Sequence, residues 1–506
     1  MFMRRLIYLL PVLLVAGVTG GWSDENEWFK PLGAPPKASP RHISGGEGVP
    51  PLPLPATPLR RTERKRDPSP PTLLAKVIWG ESAAFTYESG HKTEVADWNQ
   101  CPADLQQLLR KASGAVGQPY GSDTIQLTSF GGDPAKTPVL FFSGSRTIKF
   151  SPAQLALLRN YVLAGGTIVA DDVAGAPYFY DSFRAAMIQT FPESPVRPLP
   201  LDHPLFHMLY DVTKVRYPKN VTSNLPEFEA IYIGCRAAVI LSKYGLGCGW
   251  DDHEVPLIEK AAYYDVPSAN KIGINLVAYL LGYANVGREE AKPELFGALD
   301  EKRPTDEFVF GQLRHDGHWN VHPGGAAALL RALRQQSSVR TSLKRVPVTA
   351  GKDDLSGFTF LYLTGLDNFS LDADAVSALK TFLKGNGTLF INNGLGLKTF
   401  DAAVRRELKK ILPEAQLQPV PVTHPVFSSV FRIGEARYTP AVLKQHPDLR
   451  APYLEGIALN GDLRVIYSPF DLEAGWTGGE YPLALAYEPH TAAQLGINLV
   501  MYAVTH

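Results

Sequence analysis

Two carboxylates stand side by side in "TIVADDVAG" (residues 167–175), where an apolar run gives way to small residues. A strand that ends in a sharp turn is where many α/β enzymes present their nucleophile, so Asp171 and Asp172 are candidate catalytic groups. A carboxylate there can attack, act as a general base or bind a hard metal. His203 in "DHPLF" is the candidate imidazole, and "GWDDH" adds Asp251, Asp252 and His253. Ser143 and Gly144 end the earlier run "FFSG", where a glycine lets backbone N–H groups approach a ligand. With Trp98, Trp250, Asp251 and Asp252 they form the candidate ligand-binding set. The plainer reading makes the strand-end Asp a helix cap, His-Pro a rigid loop, and Trp98 a core or lid residue. No His or Cys spacing suits zinc, so neither a metal site nor a cofactor is expected. "KYGLGCGW" lacks the Lys-Ser/Thr order of a phosphate-binding loop.

The elements that must position these residues alternate. "LLAKVIW", "PVLFFSG" and "TIVAD" are short apolar runs that end in turn residues, as buried parallel strands do. Ser151-Pro152 opens a helix with Gln154 closing a capping box, and Gly165-Gly166 ends it. Leu155, Leu157, Leu158, Tyr161 and Val162 are its expected buried side. This whole pattern occurs twice. "LFFSGSRTIKFSPAQLALLRNYVLAGGTIVADDV" is echoed by "LYLTGLDNFSLDADAVSALKTFLKGNGTLFINNG", and "PLPLDHPLF" by "PVPVTHPVF". The offset stays at 221 through Trp98/Trp319, Gly144/Gly365 and His203/His424, then drifts by a few residues at Ser242/Ser468 and Asn275/Asn498. Such a constant register predicts two copies of one α/β domain, residues 73–286 and 305–506, joined by 287–304. Each is expected to be a doubly wound parallel sheet covered by helices, with ligands at the carboxyl ends of its strands.

Before the copies, Arg4 and Arg5 precede an apolar run of 13 residues, Leu6 to Val18. That is short for a membrane span and suits a signal peptide over residues 1–21, or else an uncleaved anchor. Residues 22–72 read as a disordered linker, with twelve Pro between 31 and 71 and a basic knot from Arg60 to Arg66 able to touch a membrane surface peripherally. Export to the periplasm or beyond is therefore expected. The chain balances 50 basic against 50 acidic residues, which argues against nucleic acid as a partner. Of three Cys, Cys235 and Cys248 are placed to pair, leaving Cys101 odd and buried.

Trp98-Asn99, "FFSG", "SPAQLALLRNYVLAGGTIVADD", "DHPLF", "GWDD" and "NLVAYLL" together resemble the bacterial domain of unknown function 4159. The resemblance implies two tandem flavodoxin/glutamine amidotransferase-like domains of no agreed activity; "HPLF" also resembles the trehalose-utilisation branch of that fold. A working amidotransferase carries a Cys at the elbow that Asp171-Asp172 and Asn392-Asn393 occupy here, so glutamine hydrolysis is not expected. The expectation is an exported binding protein of the cell envelope, its partner an unknown envelope protein or small ligand. A hydrolase or metal-dependent enzyme centred on copy 1 is the alternative, and a structural assembly component is a third reading. Copy 2 has lost most of the charged groups, keeping His424 and Trp476.

Overall fold

The computed structural model describes residues 69–80, 82–86, 92–252, 259–291, 294–302, 304 and 306–506. The expected signal segment, the linker up to residue 68 and His253 lie outside the described residues. Copy 1 supplies β1 (Thr72–Ile78), β2 (Ser82–Thr86), β3 (Lys92–Ala96), β4 (Gly121–Gln126), β5 (Val139–Gly144), β6 (Thr167–Asp172), β7 (Arg197–Pro198), β8 (Phe228–Ile233) and β9 (Arg236–Ser242). Copy 2 supplies β10 (Glu307–Leu313), β11 (Arg340–Val348), β12 (Phe360–Gly365), β13 (Thr388–Asn393), β14 (Gln418–Pro419), β15 (Glu455–Leu459) and β16 (Asp462–Ser468).

Both sheets have seven strands in equivalent order, β4-β1-β5-β6-β9-β8-β7 and β11-β10-β12-β13-β16-β15-β14. The first five strands of each order run parallel, and the last two join antiparallel. Registers repeat too: Ser143 pairs with Asp171 as Thr364 does with Asn392, and Asp171 with Ser242 as Asn392 does with Ser468. The strand order reverses between β1 and β5 and between β10 and β12, and the crevice at such a switch point is where open α/β sheets bind ligands.

The predicted helix is Pro152–Leu163, with its capping box formed and Gly165 at φ 101° beyond it. Leu158, Tyr161 and Val162 are buried, whereas Leu155 and Leu157 are only half-covered. Each copy closes with a long apolar helix, Val266–Gly282 or Pro489–Thr505. Among the described residues no helix is long and apolar enough to cross a membrane.

The copies stack head to tail. The amino ends of the copy 1 strands sit on the carboxyl ends of the copy 2 strands, and Tyr279 and Tyr283 share one apolar cluster with Val321, Leu366, Leu395 and Leu397. Polar contacts pin the joint. His318 Nε2 donates to the Gly234 carbonyl (2.5 Å) and Arg197 pairs with Asp367 (3.3 Å). The Lys398 N–H donates to Asp202 (2.8 Å), and the Tyr283 hydroxyl donates to the Pro482 carbonyl (3.1 Å). Cys235 lies in the β8–β9 turn of this joint. In the strand pairing Arg236 holds the position that Asp462 holds in copy 2.

Candidate functional site

At the carboxyl edge of copy 1, Asp171 and Asp172 end β6 and are both buried. Asp171 accepts the N–H groups of Leu246 and Gly247, each at 2.8 Å, one on each carboxylate oxygen. Asp172 turns the other way, as strand alternation requires, and Oδ1 accepts the Ala176 N–H at 3.1 Å, just ahead of the helix Pro177–Thr190. Burial pushes the Asp171 carboxyl up to about 7, with Asp104 adding to it and the two N–H donors opposing. Burial, then the adjacent Asp171, holds Asp172 well above the usual carboxylate range.

Copy 2 repeats the brace without the charge. Asn392 Oδ1 accepts the Leu472 N–H at 2.8 Å, as Asp171 does from Leu246, and its Nδ2 donates to Asp471 at 2.9 Å. Asp471 occupies the place of Gly245 and also takes a hydrogen bond from His322 Nε2 at 2.7 Å. His322 itself stands where copy 1 has Cys101.

A buried charged group that the apolar run "LLAKVIW" conceals lies beside Asp171. Lys76, in the middle of β1, spends its three N–H donors on Asp104 Oδ2 (2.7 Å), Asn99 Oδ1 (3.1 Å) and the Cys101 carbonyl (3.0 Å). A Cβ on Gly247 would lie 2.9 Å from Asp171 and 3.1 Å from Asp104, so glycine leaves room for both acids. Copy 2 reverses this arrangement: Gly325 replaces Asp104 and Glu473 replaces Gly247, and a Cβ on Gly325 would strike the Glu473 side chain at 2.3 Å. Each copy therefore puts one carboxylate into the same space, reaching it from opposite walls. Glu473 accepts from the Tyr362 hydroxyl at 2.9 Å, and burial pushes its carboxyl up to about 7.

The other predicted residues disperse. His203 packs against Tyr232 and Tyr279, and the Tyr279 hydroxyl takes the Ala237 N–H at the start of β9. Asp171 pairs with Ser242 at the end of that strand, so the two ends are separated by five residues, about 16 Å of strand. His203 caps a short turn through Leu205 N–H (3.2 Å), and burial lowers it to about 3, leaving it neutral. It does not join the aspartates. Trp250 is fully buried, donates to the Ala269 carbonyl at 2.8 Å and packs on Phe141, so it belongs to the core rather than to a ligand wall. Asp252, at φ 57°, forms an exposed pair with Lys111, and Asp251 accepts from Ala103 N–H at 3.4 Å. Trp98 is half-buried in the turn Asp97–Asn99.

Ser143 is buried, and Gly144 is covered: a Cβ there would lie 2.2 Å from the Trp79 ring and 2.7 Å from Asp97. Asp97 accepts the N–H groups of Ser145 and Arg146, both at 3.0 Å. The switch point of copy 1 is thus filled by its own side chains. Among the described residues no three His, Cys, Asp or Glu converge as a metal site.

The disulfide is Cys101–Cys248, not the expected Cys235–Cys248. Cys101 and Cys248 precede and begin neighbouring helices at the carboxyl edge, whereas Cys235 is buried at the opposite end of β9. The joint holds a further set that sequence reasoning missed. Glu290 accepts the Cys235 N–H at 2.9 Å, lies 3.6 Å from Arg236 and is pushed up to about 7 by burial. For the Cys101 and His322 positions the repeat itself carried a signal, since it aligns "NQCP" with "NVHP" and marks position 101/322 as different in kind.

The model of the family "Domain of unknown function (DUF4159)" matches the chain twice, over residues 88–281 and 309–504. Among curated proteins none matches it.

Proposed function

The chain belongs to the DUF4159 family in both of its copies, and from that premise we propose that it is an exported, non-catalytic binding protein of the cell envelope. We further infer that each copy is an amidotransferase-like domain whose elbow holds a brace in place of a nucleophile. One observation carries the reading: both oxygens of Asp171 are taken by backbone N–H groups, and uncharged Asn392 makes the equivalent bond in copy 2. A nucleophile or base needs an oxygen free to meet a substrate; both oxygens of Asp171 are spent on holding a loop, and Asp172, which braces the Ala176 N–H through Oδ1, is itself fully buried. Export is supported by the short apolar leader and by a disulfide, which persists in oxidising compartments.

The test is a turnover assay on the full chain with glutamine and with chromogenic esters, phosphoesters and glycosides, with and without added divalent metal. No turnover is expected, and a library of small polar molecules should yield at least one that raises the melting temperature. Turnover that disappears in Asp172→Asn would sink the binding reading.

A further inference from the structure

Copy 1 fills its switch point with Trp79 and Asp97, but copy 2 carries smaller or differently directed groups there. His315 stands in place of Trp79 and donates to the Thr364 carbonyl at 2.8 Å. His318 stands in place of Asp97 and reaches away to Gly234 of copy 1. A cleft of about 470 Å³ remains over the ends of β10 and β12, roofed by the base of copy 1, a size that suits a small molecule.

Of the five carboxylates and guanidinium groups on its wall, four are answered by a counter-ion among the described residues and Asp316 is not. Arg197 pairs with Asp367, Glu290 with Arg236, Glu294 with Arg345 and Glu193 with Arg159. A wall left with one carboxylate over disfavours an anionic guest. Two lining groups nevertheless keep a buried polar atom without a hydrogen bond among the described residues: Nε of Arg197, a donor, and Oε2 of Glu290, an acceptor that faces Arg236 Nε at 3.6 Å, too far for a hydrogen bond. The Glu290 side chain is only 4% exposed. Buried polar atoms left unpaired are costly, and a ligand that pairs both gains accordingly. A sugar ring would want a free aromatic face, but Trp319 already has the guanidinium groups of Arg314 and Arg345 over its ring, at 5.5 and 5.7 Å.

We propose that this inter-copy cleft is a ligand site for a small zwitterion, its carboxylate taken by Arg197 and its ammonium by Glu290. The proposal rests on the binding reading above and assigns its site to the joint, away from the aspartates of copy 1. Free amino acids and short peptides share this chemistry, so alanine and dialanine serve as the two probes.

Calorimetry and thermal shift on the full chain should show binding of one or both. N-acetyl-dialanine, which lacks the ammonium, dialanine amide, which lacks the carboxylate, and glucose should bind at least about tenfold more weakly. Arg197→Gln and Glu290→Gln should each weaken the probe by about ten- to a hundredfold. Asp367→Asn, which breaks the same inter-copy ion pair but keeps the guanidinium, should bind as the parent chain does. Failure of both zwitterions at millimolar concentration, equal binding of the blocked forms or glucose, or unaltered binding in both site variants would overturn the proposal. If both zwitterions fail while another compound stabilises the chain, the binding reading survives and only this site assignment falls.

Discussion

Asp172 carries a carboxyl that its surroundings do not want charged, and this can be measured. Well below about pH 4 the group is protonated in both folded and unfolded chains and contributes nothing to the difference. As pH rises, the unfolded chain releases the proton while burial and the neighbouring Asp171 make the folded chain hold it, so stability falls across this window. Asp172→Asn removes that penalty, keeps the acceptor for the Ala176 N–H and reproduces the Asn393 of copy 2. Melting temperatures of variant and parent should therefore lie closest near pH 3 and separate toward pH 7, with the variant the more stable. The lowered histidines His203, His315 and His318 act in the opposite sense but cancel in this comparison. A constant gap, or a variant that melts lower at pH 7, would show that the charge of Asp172 is needed. At this scale the sequence named the aspartates but not their role, because the same residue type serves catalysis and capping. Lys76 escaped notice because one Lys in an apolar strand leaves the hydrophobic pattern intact. Only its three acceptors, drawn from residues 99 to 104, reveal why it is tolerated there.

Strands and helices were readable wherever the cause is local. The capping box at Ser151, the Gly165 end and the apolar runs depend on neighbours in sequence, and they stand where expected. Trp250 and the disulfide depend on which elements the fold brings together, and there spacing misled. Cys235 and Cys248 are close in the chain but sit at opposite ends of β9, while Cys101 arrives beside Cys248 from 147 residues away. A bridge closing a loop that long restricts the unfolded chain by about 5 kcal/mol in the chain-entropy account, and native bridges are typically worth about 2–5 kcal/mol. Copy 2 has His322 and Ala474 in those places and no bridge to lose. Reduction, or Cys101→Ser with Cys248→Ser, should accordingly lower the unfolding free energy of copy 1 by that order and its urea midpoint with it. Tryptophan fluorescence would follow copy 1 through Trp250 and copy 2 through Trp476. An unchanged midpoint under reductant would mean that packing against Asp104 and Asp171 alone holds the short helix Gly247–Trp250.

At the scale of the whole molecule the repeat raises a question that neither copy answers alone. A head-to-tail contact between like domains does not close on itself, and if its two faces recur at the free ends it propagates into a filament. Here the base of copy 2 and the carboxyl edge of copy 1 are those ends, and their residues have diverged at three of the polar contacts of the joint. Arg197 and Asp367 become Gln418 and Arg146, which form no ion pair. His318, the donor to the Gly234 carbonyl, becomes Asp97, whose carboxylate is occupied by the Ser145 and Arg146 N–H groups and has no proton to give. Asp202 becomes Thr423, and Lys398, whose N–H it accepts, becomes Pro177, which has no N–H. A second chain stacked on the first would thus forgo an ion pair and two hydrogen bonds, and a polar atom buried there without a substitute partner costs about 1–3 kcal/mol. The described domains are therefore expected to stay monomeric through this face, with the sedimentation coefficient constant as concentration rises from micromolar to millimolar. Restoring the contacts should reverse the outcome: Gln418→Arg and Thr423→Asp on one face with Arg146→Asp, Asp97→His and Pro177→Lys on the other should produce concentration-dependent association. Association of the parent chain that Gln418→Glu or Arg146→Ala abolishes would show instead that the divergent faces found a complementarity of their own.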